Sequence, residues 1–211
     1  MSKIFIENKK IILASASPRR RELLSMITED FEVFTADIDE REAEIEMEEK
    51  GVPVLNVSEH LALLKARAVF EFLSEEEQER YLVIGADTSV ILDGVIYGKP
   101  VDRPDAERML SSMSGKVHVV ATGVALITAN GENTFTEVTS VEFNPLDLYQ
   151  KWLISDYCKS GSPYDKAGAY GIQDKGALLI KKIDGDYSNV VGLPVARLAR
   201  EISYMVQYPL E

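Results

Sequence analysis

The run Ala14-Ser15-Ala16-Ser17-Pro18-Arg19-Arg20-Arg21 sets two serine hydroxyls ahead of a proline and three arginines. Ser17 and Pro18 suit the cap and the first position of a helix. A helix N-terminus carries about half a positive charge and favours acids in its first turn. Three arginines there break that rule, each by roughly 0.3–1 kcal/mol. A local rule broken without local compensation points to function. An anion bound at the terminus restores the sign: free N–H groups, the Ser15 and Ser17 hydroxyls and the Arg19 and Arg20 forks together make a phosphate cradle. The alternative is an exposed basic turn paired with surface acids. On the cradle reading the arginines serve a ligand and not the helix, so removing Arg19 or Arg20 is expected to leave the fold stable.

Asp87 follows the apolar run Leu82-Val83-Ile84-Gly85-Ala86 and precedes Thr88. An aspartate closing an apolar strand lies at the mouth of a sheet, where α/β proteins bind ligands. Its carboxylate can take a proton from water or hold a divalent cation. It can equally be a turn aspartate bonded to local backbone. Lys65 interrupts an apolar helix, and Lys99 sits in Gly98-Lys99-Pro100. Each suits a point charge for phosphate, although alone each reads first as a snorkelling surface side chain. In Asp165-Lys166-Ala167-Gly168-Ala169-Tyr170-Gly171-Ile172-Gln173 the glycines allow close backbone approach, and a Gln amide can read a base edge. The alternative there is a plain Gly-rich connection.

The elements that must position these residues alternate strand and helix. Lys10 to Ser15 reads as a short buried strand leading into the helix capped by Ser17. Val57 to Leu73 has helical period, with Ser58 as cap and Leu61, Leu64, Ala68 and Phe72 on one face. Ser74 with Glu75, Glu76 and Glu77 reads as a solvated helix end and suits a helix N-terminus. Leu82 to Ala86 is a strand, and Ser89-Val90-Ile91-Leu92 and Val95-Ile96-Tyr97 flank Asp93-Gly94, a type I′ hairpin signal. A helix is expected over Asp102 to Met113, then strands over Val117 to Ile127 and Thr134 to Phe143. Asn144-Pro145-Leu146-Asp147 opens another helix with Asn144 as cap, a strand follows at Ala177 to Ile183, and a last helix begins near Leu193-Pro194. This order predicts an α/β fold, a mixed twisted sheet flanked by helices.

The 211 residues suit one domain or two intimately packed lobes, and the chain is taken as a single domain over 1–211. Lys and Arg number 23 against 35 Asp and Glu, a net charge of −12 that disfavours non-specific nucleic-acid binding. A small anion in a local basic pocket is not disfavoured. No apolar run approaches the roughly 18 residues of a membrane span, and Met1 to Lys10 lacks the core of a leader. With one cysteine, Cys158, read as a small buried hydrophobe, the expected location is the cytoplasm. Gly115-Lys116 lacks the rest of a P-loop, and no GxGxxG occurs. His60 and His118 have no partner spacing, and Tyr149 and Trp152 read as core or interface.

These segments together resemble the Maf family of nucleoside triphosphate pyrophosphatases. The likeness is carried by Ser15 to Leu24, Asp37-Ile38-Asp39-Glu40, Lys65-Ala66-Arg67-Ala68, Gly85-Ala86-Asp87-Thr88, Gly98-Lys99-Pro100, Leu110 to Gly115, Asp165 to Gln173, Gly185-Asp186-Tyr187 and Val191-Gly192-Leu193-Pro194, in order from about residue 10 to 200. It implies a two-lobed α/β fold with the active site in the cleft between lobes. It implies hydrolysis of a nucleoside triphosphate to the monophosphate and pyrophosphate with a divalent cation, Mg2+ or Mn2+. The form Ala169-Tyr170-Gly171-Ile172-Gln173 is similar to the subgroup acting on dTTP and UTP. In that subgroup the positions matching Arg19, Thr88 and Gln173 set specificity, and the position matching Asp87 is the proton acceptor.

On this reading Arg19, Arg20, Lys65 and Lys99 gather the cations that a triphosphate needs in an acidic protein. Asp87, with Asp39 or Glu40, holds the metal, and where many members have Glu this chain has Asp39 followed by Glu40. Gln173 offers a donor and an acceptor to a pyrimidine edge. The rival is a non-catalytic nucleotide-binding regulator of septum formation, which would keep the arginines and glycines without needing Asp87. Oligomeric state is left open, a homodimer among the options.

Overall fold

The computed structural model describes residues 9–207; the part of the leader reading that falls on residues 1–8 lies outside them. Among the described residues the strands are β1 (Lys10–Leu13), β2 (Phe31–Val33), β3 (Tyr81–Leu92), β4 (Val95–Tyr97), β5 (Val117–Thr128), β6 (Gly131–Phe143) and β7 (Ile180–Asp184). The helices are α1 (Pro18–Ser25), α2 (Glu40–Glu49), α3 (Val57–Glu71), α4 (Glu75–Gln78), α5 (Arg103–Met113), α6 (Leu148–Cys158), α7 (Tyr187–Val191) and α8 (Val195–Gln207). The strands form one sheet in the order β2-β1-β3-β5-β6-β7, with β4 paired to β3. β1 runs parallel to β2 and β3, whereas β3–β4 and β6–β7 are antiparallel. The sheet is therefore mixed, as the alternation predicts.

The chain divides into two compact units. The first comprises Met1–Asp87, Thr122–Glu137 and Gly192–Glu211. Its core joins Ile12 and Ala14 of the β1 segment, Val83 of β3 and Ala125 and Ile127 of β5 to Ala62, Ala66 and Val69 of α3. Two glycines seat α3. A Cβ on Gly85 would overlap the Ala62 carbonyl and stand 2.9 Å from Ala66 Cβ, and one on Gly123 would overlap the Ser58–Glu59 backbone. Only hydrogen at both positions lets the helix lie this close to the strands.

The second unit comprises Thr88–Ala121 and Val138–Val191. Its core packs Val90 and Leu92 of β3, Ala106, Leu110 and Met113 of α5, Phe143 of β6, Tyr157 and Cys158 of α6, and Tyr170 and Leu179. Asp93 and Gly94 both have positive φ, 52° and 78°, the type I′ geometry that Asp-Gly predicts. Cys158 is buried, and burial pushes its thiol up to about 11, which suits an inert hydrophobe.

Several expectations are corrected. Ser58 does not cap α3, which begins at Val57. The buried face of α3 is Val57, Ser58, Leu61, Ala62, Ala66 and Val69, while Leu64 and Phe72 face solvent. The periodicity pointed to the bulkier residues, but the two glycines draw in the small ones. β3 does not stop at Ala86; it runs through Asp87 to Leu92. α6 is capped by Asp147, whose Oδ1 accepts from Gln150 N–H at 2.8 Å, because the Asn144 side chain bonds instead to the Leu178 and Ile180 carbonyls. Of core and interface, the core half of the reading fails for Tyr149 and Trp152, which are 58% and 60% exposed.

Candidate active site

Where β1 ends, the chain turns through Ala14–Ser17 into α1. Ser17 caps the helix, its Oγ accepting from Arg20 N–H at 3.4 Å, and Pro18 occupies the first turn as its ring allows. No acid stands in that turn. The buried Ser15 Oγ accepts from Ser17 N–H at 3.3 Å and from Arg20 Nη1 at 3.2 Å. Arg20 Nε donates to the Gly192 carbonyl at 2.9 Å. Burial pulls the Arg20 guanidinium below its ordinary value; Asp87 opposes this, Arg19 adds to it, and Glu40 opposes it again. Arg20 therefore also serves the fold: its fork ties α1 to Ser15 and Gly192.

Asp87 lies within β3, between two pairings. The β1 register ends at Ile84, and the β4 register begins at Val90. Its side chain is 14% exposed, and its Oδ1 accepts from Lys65 Nζ at 2.6 Å. Lys65 comes from the face of α3 that Gly85 draws in. The same ammonium lies 3.0 Å from Glu40 Oε1, in the first turn of α2. Lys65, 15% exposed, thus holds two carboxylates from two elements. Asp39, one residue earlier, directs its Oδ1 to Glu42 N–H at 2.9 Å and so caps α2.

One further acid belongs to this neighbourhood. Glu44 follows Glu40 by one helical turn, so both lie on one face. Its carboxyl is raised by burial, then by the charges of Asp87 and Glu40, with Lys65 opposing. Glu44 was not among the residues expected from the sequence, although its i,i+4 spacing from Glu40 could have pointed to it. The Gly192 carbonyl was legible only as part of a motif without a role.

The sequence-predicted residues divide between the units. Ser15, Ser17, Arg19, Arg20, Asp39, Glu40, Lys65 and Asp87 lie in the first; Thr88, Lys99 and Gln173 lie in the second. The structure joins Ser15, Ser17 and Arg20 in one hydrogen-bonded turn and Lys65, Glu40 and Asp87 in one ion cluster. Thr88 follows Asp87 along β3 and is half-buried. Lys99 is exposed and forms no ion pair with the described residues. Gln173 is exposed, its amide bonded to no described side chain.

Whether the first unit suits a divalent cation can be judged from its donors. Glu40 and Asp87 bring hard carboxylate oxygens to a single ammonium, leaving acid in excess. Mg2+ is commonly held by one or two carboxylates, with waters and substrate phosphates completing the shell. No group of three or more His, Cys, Asp or Glu among the described residues is assembled for a metal. The donor set therefore fits a hard cation that arrives with a phosphate ligand. No helix among the described residues is long and apolar enough to cross a membrane.

Comparison with known proteins gives the family of the chain. A family model described as Maf-like protein matches residues 10–205. A dTTP/UTP pyrophosphatase from Acetivibrio thermocellus is 47% identical over 196 residues, covering 90% of this chain and 92% of that protein. One from Thermosipho africanus is 46% identical over 189 residues, covering 90% of each. One from Symbiobacterium thermophilum is 44% identical over 205 residues, covering 96% of each. The basic turn of α1 and the Lys65–Asp87–Glu40 cluster fall inside the matched span, and the chain belongs to the Maf family.

Proposed function

We propose that this protein hydrolyses dTTP and UTP to the nucleoside monophosphate and pyrophosphate, by attack of water at the α-phosphorus. The observation that carries the reading is the Asp87–Lys65–Glu40 cluster in the same unit as the arginine-bearing N-terminus of α1. A triphosphate brings several negative charges. The N-terminus of α1, the Ser15 and Ser17 hydroxyls and Arg19 and Arg20 supply donors for it. Lys65 and Lys99 add point charges.

Asp87 takes the proton of the attacking water. Its Oδ1 is engaged by Lys65, and its Oδ2 has no hydrogen-bond partner among the described residues, so one oxygen is oriented while the other accepts. Glu40 and Asp87 would hold the divalent cation, Mg2+ or Mn2+, which when bound neutralises phosphate charge. Asp39 is spent on capping α2 and is not assigned to the cation. Thr88 and Gln173 set specificity, the Gln173 amide offering one donor and one acceptor to a uracil or thymine edge. The whole chain acts as one catalytic domain, in the cytoplasm, where such nucleotides are made and used.

The test is pyrophosphate release across a panel of ribo- and deoxynucleoside triphosphates with Mg2+ or Mn2+. Turnover is expected to be fastest with dTTP and UTP. Faster hydrolysis of dATP or dGTP than of both would overturn the base assignment, and release of single phosphate would overturn attack at the α-phosphorus.

A further inference from the structure

Gln173 sits in a four-residue segment, Gly171-Ile172-Gln173-Asp174, whose two ends meet on one phenol oxygen. The Tyr157 hydroxyl accepts from Gly171 N–H at 3.1 Å and donates to Asp174 Oδ1 at 2.9 Å. Tyr157 itself is 1% exposed, rooted in α6 and the core of its unit, so this anchor does not move with solvent. Asp174 is held from other sides as well. Its Oδ1 accepts from Gly176 N–H at 2.7 Å, its Oδ2 accepts from the Ser162 hydroxyl at 2.5 Å, and Lys166 Nζ lies 3.5 Å from Oδ2. Burial alone would raise the Asp174 carboxyl; these donors outweigh it and hold the group below the usual carboxylate range.

Packing closes the remaining freedom. A Cβ on Gly171 would stand 2.6 Å from Lys166 Cε and 2.9 Å from Asp174 Oδ2, so the glycine backbone lies directly on the Lys166–Asp174 pair. Lys166 is fixed in turn by the Ser162 carbonyl at 2.5 Å and Asp165 Oδ1 at 2.7 Å. Between these fixed ends the Gln173 side chain alone is exposed and uncommitted. A buried phenol, a carboxylate with three short donors and a glycine without spare room are more than a surface connection requires. They fix the backbone that carries Gln173.

We propose that Tyr157 and Asp174 are positioning residues that hold Gln173 for base recognition and thereby set selectivity for pyrimidine nucleotides. The inference rests on the reading that Gln173 meets the base edge. Ordering a loose segment on binding weakens affinity, and a backbone already fixed beneath Gln173 avoids that part of the loss. Loosening the segment is therefore expected to raise KM for UTP and dTTP roughly three- to tenfold while kcat stays within about twofold.

The test compares Gln173→Ala, Tyr157→Phe, Asp174→Asn and the double variant Gln173→Ala/Tyr157→Phe. The readouts are kcat and KM for UTP, dTTP and ATP, with melting temperature to verify folding. Tyr157→Phe keeps the ring volume in the core, and Ser162→Ala serves as the milder perturbation should it fail to fold. Support consists of a raised KM for UTP and dTTP in Tyr157→Phe or Ser162→Ala, an unchanged KM for ATP, and no further rise when Gln173→Ala is added. A purely structural role would move all three nucleotides together and would overturn the proposal. A wild-type KM in Tyr157→Phe, Asp174→Asn and Ser162→Ala beside a raised KM in Gln173→Ala would overturn the positioning role and leave the base reading standing. A wild-type KM in Gln173→Ala would overturn the base reading, and the proposal with it.

Discussion

Lys65 Nζ and Asp87 Oδ1 lie 2.6 Å apart, joining the middle of α3 to the middle of β3. Gly85, two residues before Asp87, offers no side chain to the turn of α3 that carries Lys65, and the helix backbone lies close to the strand there. The proposed chemistry and the packing can be probed through the same few atoms.

Asp87→Asn keeps size and loses charge and basicity. Turnover of dTTP is expected to fall by at least about 10²-fold, the lower end for loss of a general base. Nucleotide affinity, measured beside turnover by calorimetry, is expected to persist. Turnover within threefold of wild type would remove Asp87 from the mechanism. A wild type that binds dTTP without any turnover would favour the regulator reading.

Asp39 and Glu40 are neighbours with separate duties, and substitution should separate them. Glu40→Gln is expected to raise the Mg2+ concentration for half-maximal activity, on the order of tenfold or more. Asp39→Ala removes a helix cap and is expected to cost about 1 kcal/mol of stability without altering the metal requirement. Metal titrations and thermal melts of the two variants check both halves. The opposite pattern would assign the cation to Asp39.

Gly85→Ala forces a methyl into the Ala62 carbonyl. Overpacking of this kind typically costs roughly 1–3 kcal/mol. A displacement near 1 Å at reacting groups can cost about 10²-fold in rate. Both losses are expected together, read as a lower melting temperature and slower pyrophosphate release. Wild-type values for both would show that α3 adjusts without moving Lys65.

Arg20→Ala loses the bonds to Ser15 Oγ and the Gly192 carbonyl and is expected to destabilise the fold by about 1–2 kcal/mol, as well as slow catalysis. Arg20→Lys keeps the charge without the fork, so part of the triphosphate affinity is expected to survive and the Gly192 tie is not. Chemical denaturation and KM for dTTP report the two effects. Stability unchanged in both variants would mean that these bonds are replaced by water.

His118 gives the protein an acid-sensitive point. The ring is 1% exposed, its Nε2 bonds the Tyr170 hydroxyl at 2.8 Å, and burial pushes its pKa down to about 4. The unfolded chain, with an ordinary value near 6.5, binds a proton that the native chain refuses. Stability is therefore complete above about pH 6.5 and declines as pH falls towards 4, by about 3 kcal/mol from this group. His118→Phe is expected to flatten that decline in melts taken across the window. An unchanged slope would show that the carboxylates alone set it.

The residue pattern made much of this legible because many signals were local. The Ser17 cap, the Asp-Gly hairpin and the helix start at Ser74 depend on residues within a turn of one another, and each appears as expected. What failed was tertiary. α3 buries Ala62 and Ala66 in place of Leu64 because Gly85 and Gly123 invite close approach, and helical period alone cannot register a glycine on another element. β3 continues past Asp87 because its pairing with β4 extends the same strand, so the carboxylate lies inside a strand and not at its end. The choice between Asp39 and Glu40 turned on which carboxylate caps α2, and that needed the helix itself, which an acid-rich run with little buried apolar surface does not announce. The phenol behind Gln173 lies 16 residues away in sequence, too far for spacing to connect them.

Trp152 is the single tryptophan of the chain and stands in solvent on α6, tilted against Tyr149 at 5.8 Å. Its indole already meets water in the native state, so its emission spectrum is that of a hydrated chromophore before any denaturant is added. Unfolding therefore shifts that emission little, and a fluorescence melt would under-report a transition that ellipticity records in full. Collisional quenchers such as acrylamide should reach the indole as readily in the folded protein as in the unfolded one. A Trp placed at buried Phe143, with Trp152 changed to Phe, would convert the same optical method into a reporter of the core.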